Sequence, residues 1–158
     1  MRLFLALMLL FLFTACALGT FMFTLSDPAI DFGNVSIGNS QYGVPAGNLK
    51  ITCKSDQGNP WSLTMRGAGD LDSGAYRIPL ANLKWFGTYT NRASVTASDF
   101  ITTATSLEVI DRMVYRSDPT GDSGLSSGTA VYVQFGITVP DTQPQGTYST
   151  QAMITMTE

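Results

Sequence analysis

Side chains able to do acid–base work are few in this chain, and nearly all of them are carboxylates. Twelve Asp and Glu stand against nine Lys and Arg in 158 residues, and there is no histidine. Without imidazole, His-dependent triads and His-ligated metal sites are excluded. A pair of carboxylates can still hydrolyse a glycosidic bond. Asp31, Asp70, Asp72, Glu108 and Asp111 are the acids available for such a pair. Most of the aspartates sit beside Gly, Pro, Asn or Ser, where Asp caps turns by accepting from nearby backbone amides. Asp70 and Asp72 could give a cation two oxygens, but hard cations need about six. The stretch Asp118-Pro-Thr-Gly-Asp122-Ser-Gly lacks the alternate acids and closing Glu of a calcium loop. Serine has only Lys50, Lys54 and Lys84 as bases nearby in type, and no Ser-x-x-Lys motif occurs. The expectation is no catalytic residue, no metal and no cofactor. A net charge of −3 gives no basic footprint for nucleic acid.

Aromatic residues offer a different chemistry, since their faces stack on sugar rings. Trp85, Phe86 and Tyr89 lie close together, and Trp61, Tyr76 and Tyr132 are further candidates. Trp61 shares a strand face with Leu63 and Met65, which makes it a core residue. Trp85 and Phe86 are neighbours and cannot both point inward on a regular strand. Phe86 and Tyr89 are therefore preferred over Trp61 as surface contacts.

The elements that must carry these residues read as strands. Leu49, Ile51 and Cys53 alternate with Lys50, Thr52 and Lys54, which places Cys53 on the core side as a small hydrophobe. The turn Asp56-Gln57-Gly58-Asn59-Pro60 leads to Trp61, Leu63 and Met65, and the two runs form a hairpin candidate. Gly33-Asn34 between Ala29–Phe32 and Val35–Ile37 is a hairpin or bulge signal. Ile78-Pro79-Leu80 and Leu83-Lys84-Trp85-Phe86 follow, and Pro79 demotes that stretch to an edge strand or an irregular segment. Residues 87–106 are polar, with a weak strand near 88–90, and residues 107–116 form another strand. Residues 117–128 are a loop. Val131, Val133, Phe135, Ile137 and Val139 form the strongest strand, and Tyr148, Ala152, Ile154 and Met156 line the last one. Nothing reads as a long amphipathic helix. The pattern predicts an all-β antiparallel sandwich, Ig-like or Greek-key, of about seven to nine strands.

The N-terminus is of another kind. Residues 3–13 are eleven apolar residues in a row behind Arg2, followed by small residues at Ala15, Ala17 and Gly19. This is the make-up of a secretory signal peptide over residues 1–19, leaving one domain at 20–158. An uncleaved anchor is the first alternative, because no charge occurs between Leu3 and Ser26. The other is a lipoprotein, since Phe13-Thr14-Ala15-Cys16 resembles a lipobox with Cys16 as the lipidated residue. Each of these sends the domain out of the cytoplasm, and the membrane is met only through this segment. Phe21, Phe23 and Leu25 alternate just beyond it, ahead of Asp27-Pro28. Such a segment completes a sheet, either its own or that of a neighbour in a strand-exchanged fibre.

Asp31-Phe32-Gly33-Asn34-Val35, Leu49–Cys53, Trp61-Ser62-Leu63 and Pro144-Gln145-Gly146-Thr147-Tyr148 together resemble bacterial cell-surface Ig-like sandwiches. Trp61-x-Leu63 is similar to the first motif of WxL cell-surface domains. The second Trp-x-Leu of that family is absent, and its place reads Met153-Ile154-Thr155-Met156. The resemblance implies a secreted, β-rich protein associated with a Gram-positive wall. The Gly-Thr-Tyr opening of the last strand is shared with fimbrial and adhesin domains. The expectation is a non-enzymatic surface protein of a bacterial envelope, structural or adhesive. Its partners would be envelope components, copies of itself in a fibre, or a glycan.

Overall fold

The computed structural model describes residues 21–42 and 48–158. The predicted signal segment at 1–19, and with it Cys16, lies outside the described residues. Among the described residues no helix is long and apolar enough to cross a membrane.

The described chain is an antiparallel β-sandwich. Its larger sheet is ordered β1 (Phe21–Leu25), β3 (Leu49–Ser55), β10 (Thr129–Thr138), β7 (Leu83–Thr90) and β8 (Thr105–Ser106). The short β2 (Ser40–Tyr42) pairs with the far end of β10. The smaller sheet is β11 (Ala152–Thr157), β4 (Ser62–Gly67) and β9 (Arg112–Arg116). A small hairpin, β5 (Leu71–Asp72) with β6 (Arg77–Ile78), lies apart from both. Seven of these strands have five residues or more, and the other four have two or three.

Alternation in the sequence becomes the two faces of each sheet. Leu49, Ile51 and Cys53 of β3 and Val131, Val133, Phe135 and Ile137 of β10 point inward. They meet Leu63 and Met65 of β4 across the core, with Trp85, Tyr115 and Val114 filling the space between. Ile51, Leu63, Val131 and Val133 have no exposure at all. Side chains of this kind contribute about 1.5–3 kcal/mol each when fully buried.

Two expectations change. The runs 49–54 and 61–65 are not a hairpin. β3 pairs with β1 and β10, and β4 pairs with β9 and β11, so the turn between them crosses from one sheet to the other. Their apolar faces are satisfied by opposing each other through the core, which side-by-side pairing would not allow. Residues 27–39 hold no strand. Gly33 takes a φ of 63°, and its N–H donates to Asp31 Oδ1 at 2.8 Å, so Asp31 and Gly33 form a tight local turn instead.

The two flanks of the sandwich are built differently. On one flank, residues 99–108 stitch the sheets together. Ile101 accepts from Gly87 N–H of β7 and donates to Val114 O of β9; Leu107 donates to Leu83 O. Phe100 and Leu107, 4% and 1% exposed, plug this side. β1 and β11 border the opposite flank.

Candidate functional site

Phe86 and Tyr89 are three residues apart, and on a regular strand they would point to opposite faces. The register of β7 against β10 shifts between Tyr132 and Val133: Tyr132 faces Tyr89, while Val133 faces Gly87. Thr88 is the extra residue of this bulge. The bulge returns Tyr89 to the outer face that Phe86 already occupies. Gly87 points inward, where Phe100 sits against it; a Cβ there would stand 2.1 Å from Phe100 Cε2.

The result is an aromatic patch on the outer face of the larger sheet. Tyr89 is 58% exposed, and its ring lies 5.5 Å from that of Tyr132 at an angle of 56°. Lys50 Nζ stands 6.0 Å from the Tyr132 ring centre, at the limit of a cation–π contact. Asn48 Nδ2 donates to Thr88 Oγ1 at 2.8 Å, which ties the bulge to the start of β3. Gln134 faces Phe86 across the ladder. The face thus combines tilted aromatic rings with an ammonium and two amides, all but Asn48 on paired strands.

Trp85 is placed otherwise. It faces Phe135 and is fully buried, so it cannot touch a surface ligand. The alternation that exposes Phe86 sends Trp85 to the core, where its indole N–H has no partner among the described residues. Trp61 is also core, its indole N–H donating to Gly121 O at 2.9 Å. Tyr76 is 51% exposed but lies beside the β5–β6 hairpin, away from this sheet. Phe21, Phe23 and Leu25 form the inward row of β1, paired in register with Ser55, Cys53 and Ile51 of the same chain.

The carboxylates considered for chemistry are engaged structurally. Asp31 and Asp72 accept from the N–H two residues on, Asp70 accepts from Leu80 N–H, and Glu108 holds Arg112 through both oxygens. Asp111 faces Arg66 at 3.9 Å. Among the described residues no group of three or more His, Cys, Asp or Glu could hold a metal ion.

A buried polar cluster escaped the sequence reading. Asp122 lies in the loop after β9, with a φ of 56° and 6% exposure. Its carboxylate accepts from Tyr115 O–H at 2.6 Å, Thr129 O–H at 2.8 Å and Asp118 N–H at 2.9 Å, with Arg92 Nε at 3.6 Å. Burial, reinforced by the bond to Asp122, pushes the Tyr115 phenol up. Asp118 is held below the usual carboxylate value, chiefly because Asp122 N–H donates to it. Burial and the nearby Asp122 charge push the Cys53 thiol up to about 12. Both Asp122 oxygens are filled by protein donors, so the cluster is a clasp that fixes residues 117–128 to the sandwich. A cleft of about 910 Å³ opens elsewhere, between residues 30–37 and Ile78, Ile137, Val139 and Tyr148. None of the aromatic or edge-strand candidates lines it.

No protein-family model matches the chain, and no curated protein is significantly similar to it.

Proposed function

We propose that this is an exported, non-enzymatic β-sandwich of a bacterial envelope with an adhesive role, and that it binds glycan through the outer face of its larger sheet. The observation that carries this reading is the tilted Tyr89–Tyr132 pair, with Tyr89 58% exposed on the outer face of paired strands. A pyranose ring presents C–H groups that pack on an aromatic face, and its hydroxyls need polar partners at the rim. Lys50, Asn48 and Gln134 supply such partners here. A cross-strand tyrosine pair also steadies a sheet, by about 0.2–1 kcal/mol. That role does not require most of the Tyr89 ring to face water.

The signal-like N-terminus supports export, and the engaged carboxylates support a non-enzymatic role. A glycan array tests the reading. The unmodified chain should select at least one glycan class, and Tyr89→Ala and Phe86→Ala should each lose that binding while melting normally. Binding that survives both substitutions, or no binding to any glycan, refutes the site.

A further inference from the structure

A sheet edge carries a row of backbone donors and acceptors that only another extended strand can satisfy, and proteins shield such edges with charge, proline, bulges or cover. Among the described residues, two of the four strands that end the β1-to-β8 and β11-to-β9 orders are shielded. β9 carries Arg112 and Arg116 and is covered by residues 99–101; β8 is two residues long. The other two edges, β1 and β11, have the sequences FMFTL and AMITMT, with no charge and no proline. Both border the flank that residues 99–108 do not close.

The inward rows on that flank are also incompletely covered. Phe21 and Leu25 are 36% and 38% exposed although they point toward the core side of β1. Ile154, the inward residue of β11 facing Met65, is half-buried. On the outward rows Met22 and Met153 are 50% and 51% exposed. Among the described residues the sandwich therefore has an apolar seam between two lips that carry no charge, proline or cover.

We propose that two copies of this chain associate side by side, each β1 pairing antiparallel with the other copy's β11. The strand directions allow it. Phe21, which opens β1, stands opposite Ser55, which closes β3. Ser55 Oγ in turn donates to Glu158 just past the end of β11. β1 thus begins where β11 ends, and the two run in opposite directions. A twofold axis parallel to the strands places each β1 beside the partner's β11 with that antiparallel sense kept, and it does so twice. Both seams close in one step, and neither β1 nor β11 carries a charged side chain into them. A foreign peptide could satisfy one lip; a second copy satisfies both, with strands of the same uncharged alternating kind. No strand leaves its own sheet, which separates this arrangement from strand exchange.

The test uses the chain as its host processes it, with light scattering after size exclusion and amide exchange read residue by residue. A dimer is expected, with protection in β1 and β11 that rises with concentration. Thr24→Lys together with Thr155→Lys should weaken it by at least about tenfold: with Phe21 level with Glu158 these two positions stand opposite each other, so like charges then face across both new ladders. Thr24→Lys together with Thr155→Glu should leave it intact. Both threonines lie on outward rows, and thermal melts confirm that the variants fold. A monomer at every concentration overturns the proposal, whether its edges exchange freely or are covered by the chain's own first residues. So does a dimer indifferent to the lysines. Loss in both double variants points to like strands pairing with like, and overturns it too.

Discussion

Replacing Asp122 by alanine removes the one acceptor shared by three donors from three parts of the chain. Tyr115 O–H, Thr129 O–H and Asp118 N–H all point at its carboxylate within 2.6–2.9 Å. Each donor left unpaired in a dry interior costs about 1–3 kcal/mol. Arg92 also loses its counter-charge. Alanine adds a backbone cost, because the φ of 56° is one that Asp and Asn tolerate better. Loop movement will admit water and recover part of this. The expected loss is about 3–5 kcal/mol, as for breaking other buried ion pairs. A domain of this kind has about 5–15 kcal/mol in total. At about 2–4 °C per kcal/mol, the melting temperature should fall by about 6–20 °C. Asp122→Asn keeps the backbone preference and one acceptor oxygen, so it should lose about half as much. Urea unfolding followed by tryptophan fluorescence is a suitable assay, since Trp61 hydrogen-bonds the same loop at Gly121. A drop of less than about 2 °C for Asp122→Ala would refute the clasp, because one orphaned buried donor alone should exceed it.

Two further outcomes follow from burial and packing. Cys53 should resist thiol reagents in the native state and react once the chain is unfolded; rapid native labelling would contradict its placement. Its thiol is raised from 9.0 to about 12, so the stability it contributes is whole below about pH 9 and declines as pH climbs toward 12. Tyr115 acts in the same direction, and Cys53→Val should flatten part of that alkaline decline in a denaturation series. Gly87→Ala would drive a methyl group to 2.1 Å from Phe100 Cε2 and 2.9 Å from Ile101 O. A loss of about 1–3 kcal/mol is expected, partly restored by Phe100→Leu in the same chain, and an unchanged melting point would show that the ring is not wedged there.

Much of the sheet structure was legible because period-two alternation is a local property. β3, β4, β10 and β11 stand where Leu49–Cys53, Leu63–Met65, Val131–Val139 and Ile154–Met156 put them. The opposed fates of Trp85 and Phe86 follow from the same rule. Sheet membership was not legible, since a turn of Asp, Gly, Asn and Pro serves equally to reverse a chain within a sheet or to carry it across to the other. The bulge at Thr88 has no composition of its own, so Tyr89 could be named as a contact without a reason for its side of the sheet. Asp122 was hidden most completely. Its neighbours Gly121, Ser123 and Gly124 read as a solvated loop, and only Trp61, Tyr115 and Thr129, distant or across the turn, draw it inside.

The position of β10 in the sheet order bears on how the chain comes to be folded at all. β10 lies between β3 and β7 and also holds β2, yet it begins at residue 129 of 158. The smaller sheet waits for β11, which begins at residue 152. A nascent chain emerging from its N-terminus can form fragments, but the larger sheet lacks its central strand until residue 138 has appeared, and the smaller one lacks β11 until residue 157. Pairings over such sequence distances are slow to form. For a protein that we propose is threaded through a translocation pore, this delay is useful. The strand that would lock the domain arrives late, so a chain in transit would have less folded structure to undo.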